Sequence, residues 1–325
     1  MRIEPVRVVA LDDYQDVTRD YEAWKCLDGR VEIVTLTEHI QDRDELVAAL
    51  AGAQVVLAMR ERTTFDRALL ERLPDLRLLL TKGMWNAAID VDAAAEHGII
   101  VAGTQGTTTP TLELTWALIL ALIRNLVEED RGIREGGWQR TIGGEVAGRT
   151  LAVVGLGKLG TKVAHVGQAF GMNVIAWSQN LSAEAAAEKG VRAVAKGELF
   201  ETADVVSVHL KLSERTTGVI GAAELSAMKG SAFIVNTARG PIIDEQALLD
   251  ALRDGTIAGA GLDVYGVEPL PLDHPFRSAP RTVLTPHVGY VTEESYQEHY
   301  DQVVEGIEAW LAGQPIRVIE PNKKA

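Results

Sequence analysis

The stretch TLAVVGLGKLGTKVAHVGQAFGMNVIAWSQN, Thr150–Asn180, decides the fold of this chain. It begins with a β-rich apolar run and then places Gly155, Gly157 and Gly160 at the spacing G-x-G-x-x-G. Apolar residues at helical intervals follow, and a second β-rich run ends the stretch. The order of strand, glycine turn, helix and strand predicts a dinucleotide site. The glycines permit a tight turn and let backbone amides at a helix N-terminus approach a pyrophosphate.

The same stretch leaves the identity of the dinucleotide open. Lys158 and Leu159 lie between the last two glycines and are predicted to bind the cofactor with them. The second β-rich run ends at Ser178, where an NAD site usually has an acidic residue that bonds the ribose hydroxyls. Serine can bond a hydroxyl and does not repel a 2′-phosphate, but no arginine stands there to hold one. NAD is the expected cofactor, and NADP is not excluded.

Composition limits the classes of protein to consider. A length of 325 residues suggests two domains, and a net charge of −14 argues against non-specific binding to nucleic acid. The most apolar segment, Leu114–Ile123, is about half a membrane span, and the N-terminus does not have the pattern of a signal peptide. We therefore expect a cytoplasmic protein that does not bind membranes. The single cysteine, Cys26, is expected to be a small buried apolar residue.

Strand and helix patterns alternate along the whole chain, which predicts an α/β fold with parallel sheets. The first hundred residues alternate in this way without a glycine fingerprint. Ligands bind at the carboxyl ends of parallel strands, which draws attention to Arg60, Arg62 and the loop after the predicted strand Leu76–Leu80. That loop is predicted to be Thr81–Asn86.

One long helix is predicted from about Thr111 to Asp130, after a Gly/Thr-rich connection, Gly103–Pro110, that suggests a domain boundary. The helix is apolar on nearly all sides from Leu112 to Val127. A helix of this kind should be buried, either by the rest of the chain or by a second subunit.

Three loops that follow predicted strands hold the candidate catalytic residues: Arg239 in FIVNTARG, Glu268 in GLDVYGVEP and His287 in VLTPHVG. Hydride transfer to a keto acid needs a cation for the carboxylate, a proton donor for the carbonyl oxygen and a partner for that donor. Arginine, histidine and glutamate suit these roles. His209 also ends a strand and is expected near the cofactor without reacting. No cluster has metal-ligand spacing, so no metal is expected.

These motifs and their order resemble the D-isomer-specific 2-hydroxyacid dehydrogenase family over essentially the whole chain. The resemblance implies that Arg239 binds the substrate carboxylate and polarises the keto group. It also implies that His287 is the acid/base and Glu268 its charge partner. Asp263 would contact the nicotinamide carboxamide, and Thr237 would lie beside the nicotinamide.

The resemblance also implies an architecture of two Rossmann-like or flavodoxin-like βα domains with a cleft between them. Residues 1–103 and 291–325 would form the substrate-binding domain, and residues 104–290 the dinucleotide-binding domain. A loop of the first domain would offer backbone amides to the substrate; it contains Gly83, Met84, Trp85 and Asn86. In related phosphoglycerate dehydrogenases the loop matching Arg60 helps bind a distal phosphate, although Arg60 could equally be a solvated surface residue. The helix near residues 111–130 matches the family's dimerisation region, which implies a homodimer.

The expected function is hydride transfer between NAD(P)H and a 2-keto acid, giving a D-2-hydroxy acid, or the reverse reaction. The alternative within the same chemistry is a glyoxylate or hydroxypyruvate reductase that prefers NADPH. The alternative from another class is a nucleotide-sensing, corepressor-like binding protein, because fold does not fix function.

Overall fold

The computed structural model describes residues 4–321 of the chain. They form two compact units. Unit 1 contains the residues up to Thr107 together with those from Thr292 onward, and unit 2 is Thr108–Val291. Each unit is built on its own parallel sheet with helices between the strands, which confirms the predicted α/β class.

The described residues of unit 1 form five strands, four α-helices and two short 3-10 helices. The strands are β1 Val6–Ala10, β2 Val31–Thr35, β3 Val55–Ala58, β4 Leu78–Lys82 and β5 Ile100–Thr104. The α-helices are α1 Arg43–Ala49, α2 Arg67–Leu70, α3 Val91–Glu96 and the C-terminal helix Glu293–Leu311, and the 3-10 helices are Thr18–Asp20 and Glu22–Leu27. The sheet order is β2-β1-β3-β4-β5, so the order reverses between β1 and β3.

Unit 2 contains seven strands and seven α-helices. The strands are β6 Thr150–Val154, β7 Asn173–Trp177, β8 Arg192–Ala193, β9 Val205–Val208, β10 Phe233–Asn236, β11 Gly259–Leu262 and β12 Thr282–Leu284. The helices are α4 Thr109–Ile123, α5 Leu126–Arg134, α6 Lys158–Ala169, α7 Ala183–Ala187, α8 Lys196–Thr202, α9 Ala222–Ala227 and α10 Glu245–Asp254. The sheet order is β12-β11-β10-β9-β6-β7-β8, which reverses between β6 and β9. In open α/β sheets a ligand binds outside the carboxyl ends of the strands at such a reversal.

Both faces of the unit 2 sheet are covered, which explains why β6 is apolar at every position after its first. Leu151 and Val153 pack with residues of α4 and α6, whereas Ala152 and Val154 pack with residues of α8, α9 and α10. All four side chains have 0% exposure. A strand buried on both faces cannot alternate between apolar and polar residues. The glycine turn after β6 therefore follows a strand that is packed on both faces.

The predicted single helix Thr111–Asp130 is wrong, because the structure has two helices, α4 and α5. Asn125 lies between them with φ of 52°, a left-handed conformation that asparagine tolerates better than most residues. The apolar residues after this break, Leu126 and Val127, are 53% and 45% exposed, so the expected burial holds only for α4. Within residues 4–321, no single helix is long and apolar enough to cross a membrane. Only α4 and α5 taken together reach that composition, and they meet at a bend of 65°.

The expectation that Cys26 is buried is also wrong, because its side chain is exposed. Cys26 lies in the 3-10 helix Glu22–Leu27, and its Sγ donates a hydrogen bond to the Ala23 carbonyl at 3.1 Å. A 3-10 helix has three residues per turn, so Trp24 and Leu27 share one face and fill the core. Cys26 is left on another face.

The loop predicted at Thr81–Asn86 begins two residues later than expected. Thr81 and Lys82 belong to β4 and pair with Gly103 and Thr104 of β5. Both side chains are buried, at 0% and 8% exposure. The sequence pattern missed this extension because a threonine and a lysine do not continue an apolar run.

Candidate active site

The glycine turn after β6 has the geometry of an anion-binding cradle. Gly155 has φ of 103°, which favours glycine, and its N–H donates to the Trp177 carbonyl at 2.8 Å. A Cβ on Gly160 would lie 2.1 Å from the Gly155 carbonyl oxygen, so glycine is needed for α6 to approach β6. A Cβ on Gly157 would meet nothing within 4 Å in the part of the chain that the structure describes. The space over Gly157, at the start of α6, is therefore open to a ligand.

His209 borders the same crevice from the end of β9. A Cβ on Gly155 would lie 2.8 Å from the His209 carbonyl carbon, which shows how closely the two strand ends approach. Burial lowers the pKa of His209 to about 3, so the ring is neutral at physiological pH. Its Nε2 lies 2.8 Å from Ser207 Oγ, and its buried Nδ1 has no hydrogen-bond partner among residues 4–321. The open cradle and this unpaired nitrogen fit a dinucleotide at the reversal between β6 and β9.

Ser178 is the first residue after β7, and β7 is the neighbour of β6. It directly follows Trp177, whose carbonyl accepts the Gly155 N–H. Lys158 is exposed and Leu159 partly buried in the first turn of α6. The structure therefore places all three residues around the glycine turn.

The loop after β10 is held by the buried side chain of Asn236. Its Nδ2 donates to the Arg239 carbonyl at 2.9 Å, and its Oδ1 accepts the Ala238 N–H at 3.0 Å. Thr237 is 2.8 Å from Thr115 of α4, hydroxyl to hydroxyl. A Cβ on Gly240 would lie 2.1 Å from the Tyr265 carbonyl carbon. The loop that carries Arg239 thus packs directly against the loop that follows β11.

Glu268 and His287 form a short, largely buried pair. His287 Nδ1 lies 2.5 Å from Glu268 Oε2, and the side chains are 11% and 19% exposed for histidine and glutamate respectively. The second carboxylate oxygen of Glu268 accepts the Tyr265 N–H at 3.0 Å. Both oxygens of the Glu268 carboxylate are therefore held in place. The contact with Glu268 uses Nδ1 of His287 and does not involve Nε2.

Asp263 holds the loop that carries His287. Its Oδ1 accepts hydrogen bonds from Thr285 Oγ1 at 2.6 Å and from the Val288 N–H at 2.8 Å. Its Oδ2 accepts the Gly289 N–H at 2.9 Å. Burial raises the pKa of Asp263, and these three donors and His287 counter that effect. The structure thus shows Asp263 as a buried anchor of the loop, a contact that the sequence did not predict.

The predicted substrate loop of unit 1 starts at a constrained glycine. Gly83 has φ of 103°, and a Cβ on the facing Gly103 would lie 2.3 Å from the Gly83 carbonyl oxygen. Met84 and Trp85 are 43% and 49% exposed. Asn86 is buried, and its Nδ2 donates to the Arg60 carbonyl at 2.5 Å and to Thr81 Oγ1 at 2.8 Å. The side chain of Asn86 therefore supports the loop from inside.

Arg60 lies against this loop. It follows β3, on one side of the β1/β3 reversal, with φ of 59°. Its Nη1 donates to the Lys82 carbonyl at 3.4 Å and is 3.2 Å from where a Cβ on Gly83 would lie. The structure thus brings Arg60 to the base of the loop Gly83–Asn86.

The comparisons with known proteins agree with this geometry. A family model described as the NAD binding domain of D-isomer specific 2-hydroxyacid dehydrogenases matches residues 116–289. The glyoxylate reductase of Aeropyrum pernix is 39% identical over 267 residues, which cover 79% of this chain and 78% of that protein. The D-3-phosphoglycerate dehydrogenase of Bacillus subtilis is 36% identical over 263 residues, which cover 80% of this chain but only 50% of that longer protein.

A solved structure extends the match to nearly the whole chain. The phosphoglycerate oxidoreductase of Vibrio cholerae has a TM-score of 0.91 at 34% identity, covering 95% of this chain and 99% of that one. The resemblance predicted from the motifs is therefore confirmed, as is NAD binding as a family property. The chain belongs to the D-isomer specific 2-hydroxyacid dehydrogenase family and is an NAD-dependent 2-hydroxyacid oxidoreductase.

Proposed function

We propose that the protein interconverts a 2-keto acid and a D-2-hydroxy acid, with His287 as the acid/base, Glu268 as its charge partner and Arg239 as the carboxylate-binding residue. The observation that carries this proposal is the 2.5 Å contact between Glu268 and His287. His287 lies on a loop that the buried Asp263 anchors. A carboxylate that holds an imidazole by one nitrogen favours its protonated form and fixes the direction of the other nitrogen.

The residues of unit 2 divide the chemistry between them. A reduced nicotinamide cofactor held by unit 2 would supply the hydride. His287 donates a proton from Nε2 to the carbonyl oxygen, while Glu268 stabilises the imidazolium through Nδ1. Arg239 offers a planar fork of donors to the substrate carboxylate and polarises the keto group. In the reverse direction His287 must be neutral, because it then accepts the proton.

The dinucleotide is assigned to unit 2, and a further contact to the acid, in addition to Arg239, is assigned to unit 1. In unit 2, the glycine turn, Lys158, Leu159, Ser178, His209, Thr237 and Asp263 would hold the dinucleotide. In unit 1, the loop Gly83–Asn86 would offer backbone N–H groups to the acid. Gly157 and His209 support the first assignment. Among the described residues, Gly157 leaves open space, and the buried Nδ1 of His209 has no hydrogen-bond partner.

A screen of small 2-keto acids with NADH and with NADPH tests the proposal. It should include glyoxylate and hydroxypyruvate, because the Aeropyrum relative is named a glyoxylate reductase. Turnover of at least one acid to the D-isomer is expected. A preference for NADPH and activity on these two acids alone would identify the protein as a glyoxylate or hydroxypyruvate reductase. A product of L-configuration would contradict the proposed formation of a D-2-hydroxy acid.

Ser178 gives a prediction about the cofactor. Ser178→Asp should raise the preference for NAD over NADP, since an aspartate accepts from the ribose hydroxyls and repels a 2′-phosphate. The measurement is the ratio of kcat/KM with NADPH to kcat/KM with NADH. Asn180→Asp, two residues further from β7, is a suitable control. An unchanged or higher ratio in Ser178→Asp would show that Ser178 does not approach the ribose.

Arg60 gives a prediction about the far end of the substrate. Arg60→Ala should lower kcat/KM about ten- to a hundredfold for 2-oxoglutarate and much less for 2-oxohexanoate. A charge-assisted hydrogen bond contributes about 1.5–3 kcal/mol, whereas an exposed ion pair contributes at most about 1 kcal/mol. Arg62→Ala is the matched control, because Arg62 lies over the Tyr14 ring, 4.8 Å from its centroid. Equal small losses on both acids would show that Arg60 does not bind the far end of the substrate. Met84 and Trp85 would then be the candidates for that contact.

We also propose that the protein is a homodimer whose interface includes the region near residues 111–130. Unit 2 itself buries most of the apolar side chains of α4, so the uncovered apolar surface lies on α5 and on the segment after it. Ile133 is 51% exposed, Trp138 77% and Ile142 98%. An exposed group of large apolar side chains is typical of a subunit interface. Sedimentation as a monomer at micromolar concentration would contradict the proposal.

A further inference from the structure

Lys82 is a buried amine directly behind the loop Gly83–Asn86. Lys82 is the last residue of β4 and is 8% exposed. Its Nζ donates to the Ser295 carbonyl at 2.9 Å and lies 5.4 Å from the centroid of the Tyr296 ring. Both partners belong to the first turn and a half of the C-terminal helix. The amine is thus held in one place by a carbonyl oxygen and an aromatic face, both of which favour a cation.

The charged groups around Lys82 come from two other elements of unit 1. Arg60 approaches from the loop after β3, while Glu298 and His299 belong to the C-terminal helix. Burial and repulsion by Arg60 lower the pKa of Lys82 to about 7, against a smaller opposing effect of Glu298. Burial, Lys82 and Arg60 hold the pKa of His299 well below its ordinary value, so His299 stays neutral. Lys82 is therefore the member of this group that changes charge near neutral pH.

The backbone at Lys82 and Gly83 is tied to the same group of residues. The Lys82 carbonyl accepts from Arg60 Nη1 at 3.4 Å. The Gly83 N–H donates to Thr104 Oγ1 at 3.4 Å, and Thr104 Oγ1 lies 3.0 Å from His299 Nδ1. Because His299 is neutral, its Nδ1 can accept a hydrogen bond from the Thr104 hydroxyl. The loop that starts at Gly83 thus rests on a network whose net charge depends on Lys82.

We propose that Lys82 is a positioning residue that takes up a proton when the carboxylate of the substrate binds the loop Gly83–Asn86, and that its ammonium strengthens that binding. The inference rests on the proposed function, which assigns the acid to this loop. An anion near a partly desolvated amine favours the charged amine. By thermodynamic linkage, protonation of the amine then strengthens anion binding by the same factor. The proton comes from solvent and adds to the Nζ lone pair, and no covalent bond to the substrate forms.

The test measures proton uptake directly, with oxalate as an unreactive anion. Titration calorimetry at pH 7 in two buffers with different ionisation enthalpies gives the number of protons taken up. All proteins carry His287→Gln, so that the proposed acid/base does not contribute to the signal. We expect uptake of a fraction of a proton with Lys82 present, because a partly protonated amine can gain only the remaining fraction. Uptake should be near zero in Lys82→Met, which keeps the length of the side chain without the amine.

The pH dependence of oxalate affinity is a second measurement, and a purely structural role of Lys82 would not change it. Lys82→Met should bind oxalate about tenfold more weakly than the parent at pH 6 and equally at pH 9, on the scale of one charge-assisted contact. Lys82→Arg, which stays charged, should bind without pH dependence over this range. In the protein with His287 intact, Lys82→Met should raise the keto acid KM and leave the cofactor KM unchanged.

The outcomes separate this inference from the proposed function. Equal proton uptake with and without Lys82, while oxalate still binds, would overturn the role of Lys82 alone. A parent protein that neither binds oxalate nor, with His287 intact, turns over any 2-keto acid would overturn the proposed function as well.

Discussion

Replacing His287 by glutamine is expected to lower kcat for keto acid reduction by about a hundredfold or more, the usual scale for general acid–base catalysis. Glutamine keeps a side chain of similar length but cannot supply a proton to the carbonyl oxygen. In the wild type, reduction should weaken as pH rises, because a neutral imidazole has no proton to donate. Oxidation should strengthen over the same range. Initial rates in both directions at several pH values measure these effects.

A second histidine–carboxylate pair in unit 2 provides a matched control. His274 Nε2 lies 3.0 Å from Glu245 Oε1, and its side chain is 13% exposed, much like that of His287. His274 is the N-cap of the 3-10 helix Pro275–Ser278, at the far end of the loop that follows β11, and its side chain accepts the Phe276 N–H. His274→Gln should therefore keep most of the activity. Near-wild-type turnover in His287→Gln, or equal losses in both variants, would rule out His287 as the acid/base.

Replacing Arg239 by methionine is expected to lower kcat/KM by about a hundred- to ten-thousandfold. The change removes a bidentate contact, and each charge-assisted hydrogen bond contributes about 1.5–3 kcal/mol. The loss should appear in the kinetics of the keto acid and not in the affinity for NADH. Fluorescence titration with NADH measures the affinity for this cofactor. Arg239→Lys should recover only part of the activity, since an ammonium keeps the charge without the planar fork.

The surface residue Arg253 is a suitable control for this experiment. It lies on α10, and its Nη1 is 3.7 Å from Asp250 in an exposed pair. Pairs of this kind contribute little, so Arg253→Met should change kcat/KM by less than about fivefold. If Arg239→Met behaved like Arg253→Met, the substrate carboxylate would have to be bound elsewhere.

Several features of this protein follow from short stretches of sequence. The glycine turn at Gly155–Gly160 was predictable because the glycine spacing is a short-range pattern, and the structure shows close contacts that a Cβ on Gly155 or Gly160 would prevent. The N-cap of α10 is also a local feature, since Asp244 accepts the Ala247 N–H three residues away. Even the alternation of strands and helices is a local property, because it depends on the periodicity of apolar residues.

The sequence by itself therefore determined the α/β class, the dinucleotide motif and the family, all of which lie in local patterns and their order. Only the tertiary structure decided which distant residues meet. Glu268 reaches His287 across 19 positions, and Asp263 anchors Gly289 across 26. Lys82 meets Ser295 across 213 positions, which turns an apparent loop lysine into a buried amine. Sheet order, strand register and burial create these contacts, and the energy of a polar side chain depends on the dielectric and the partners that they provide.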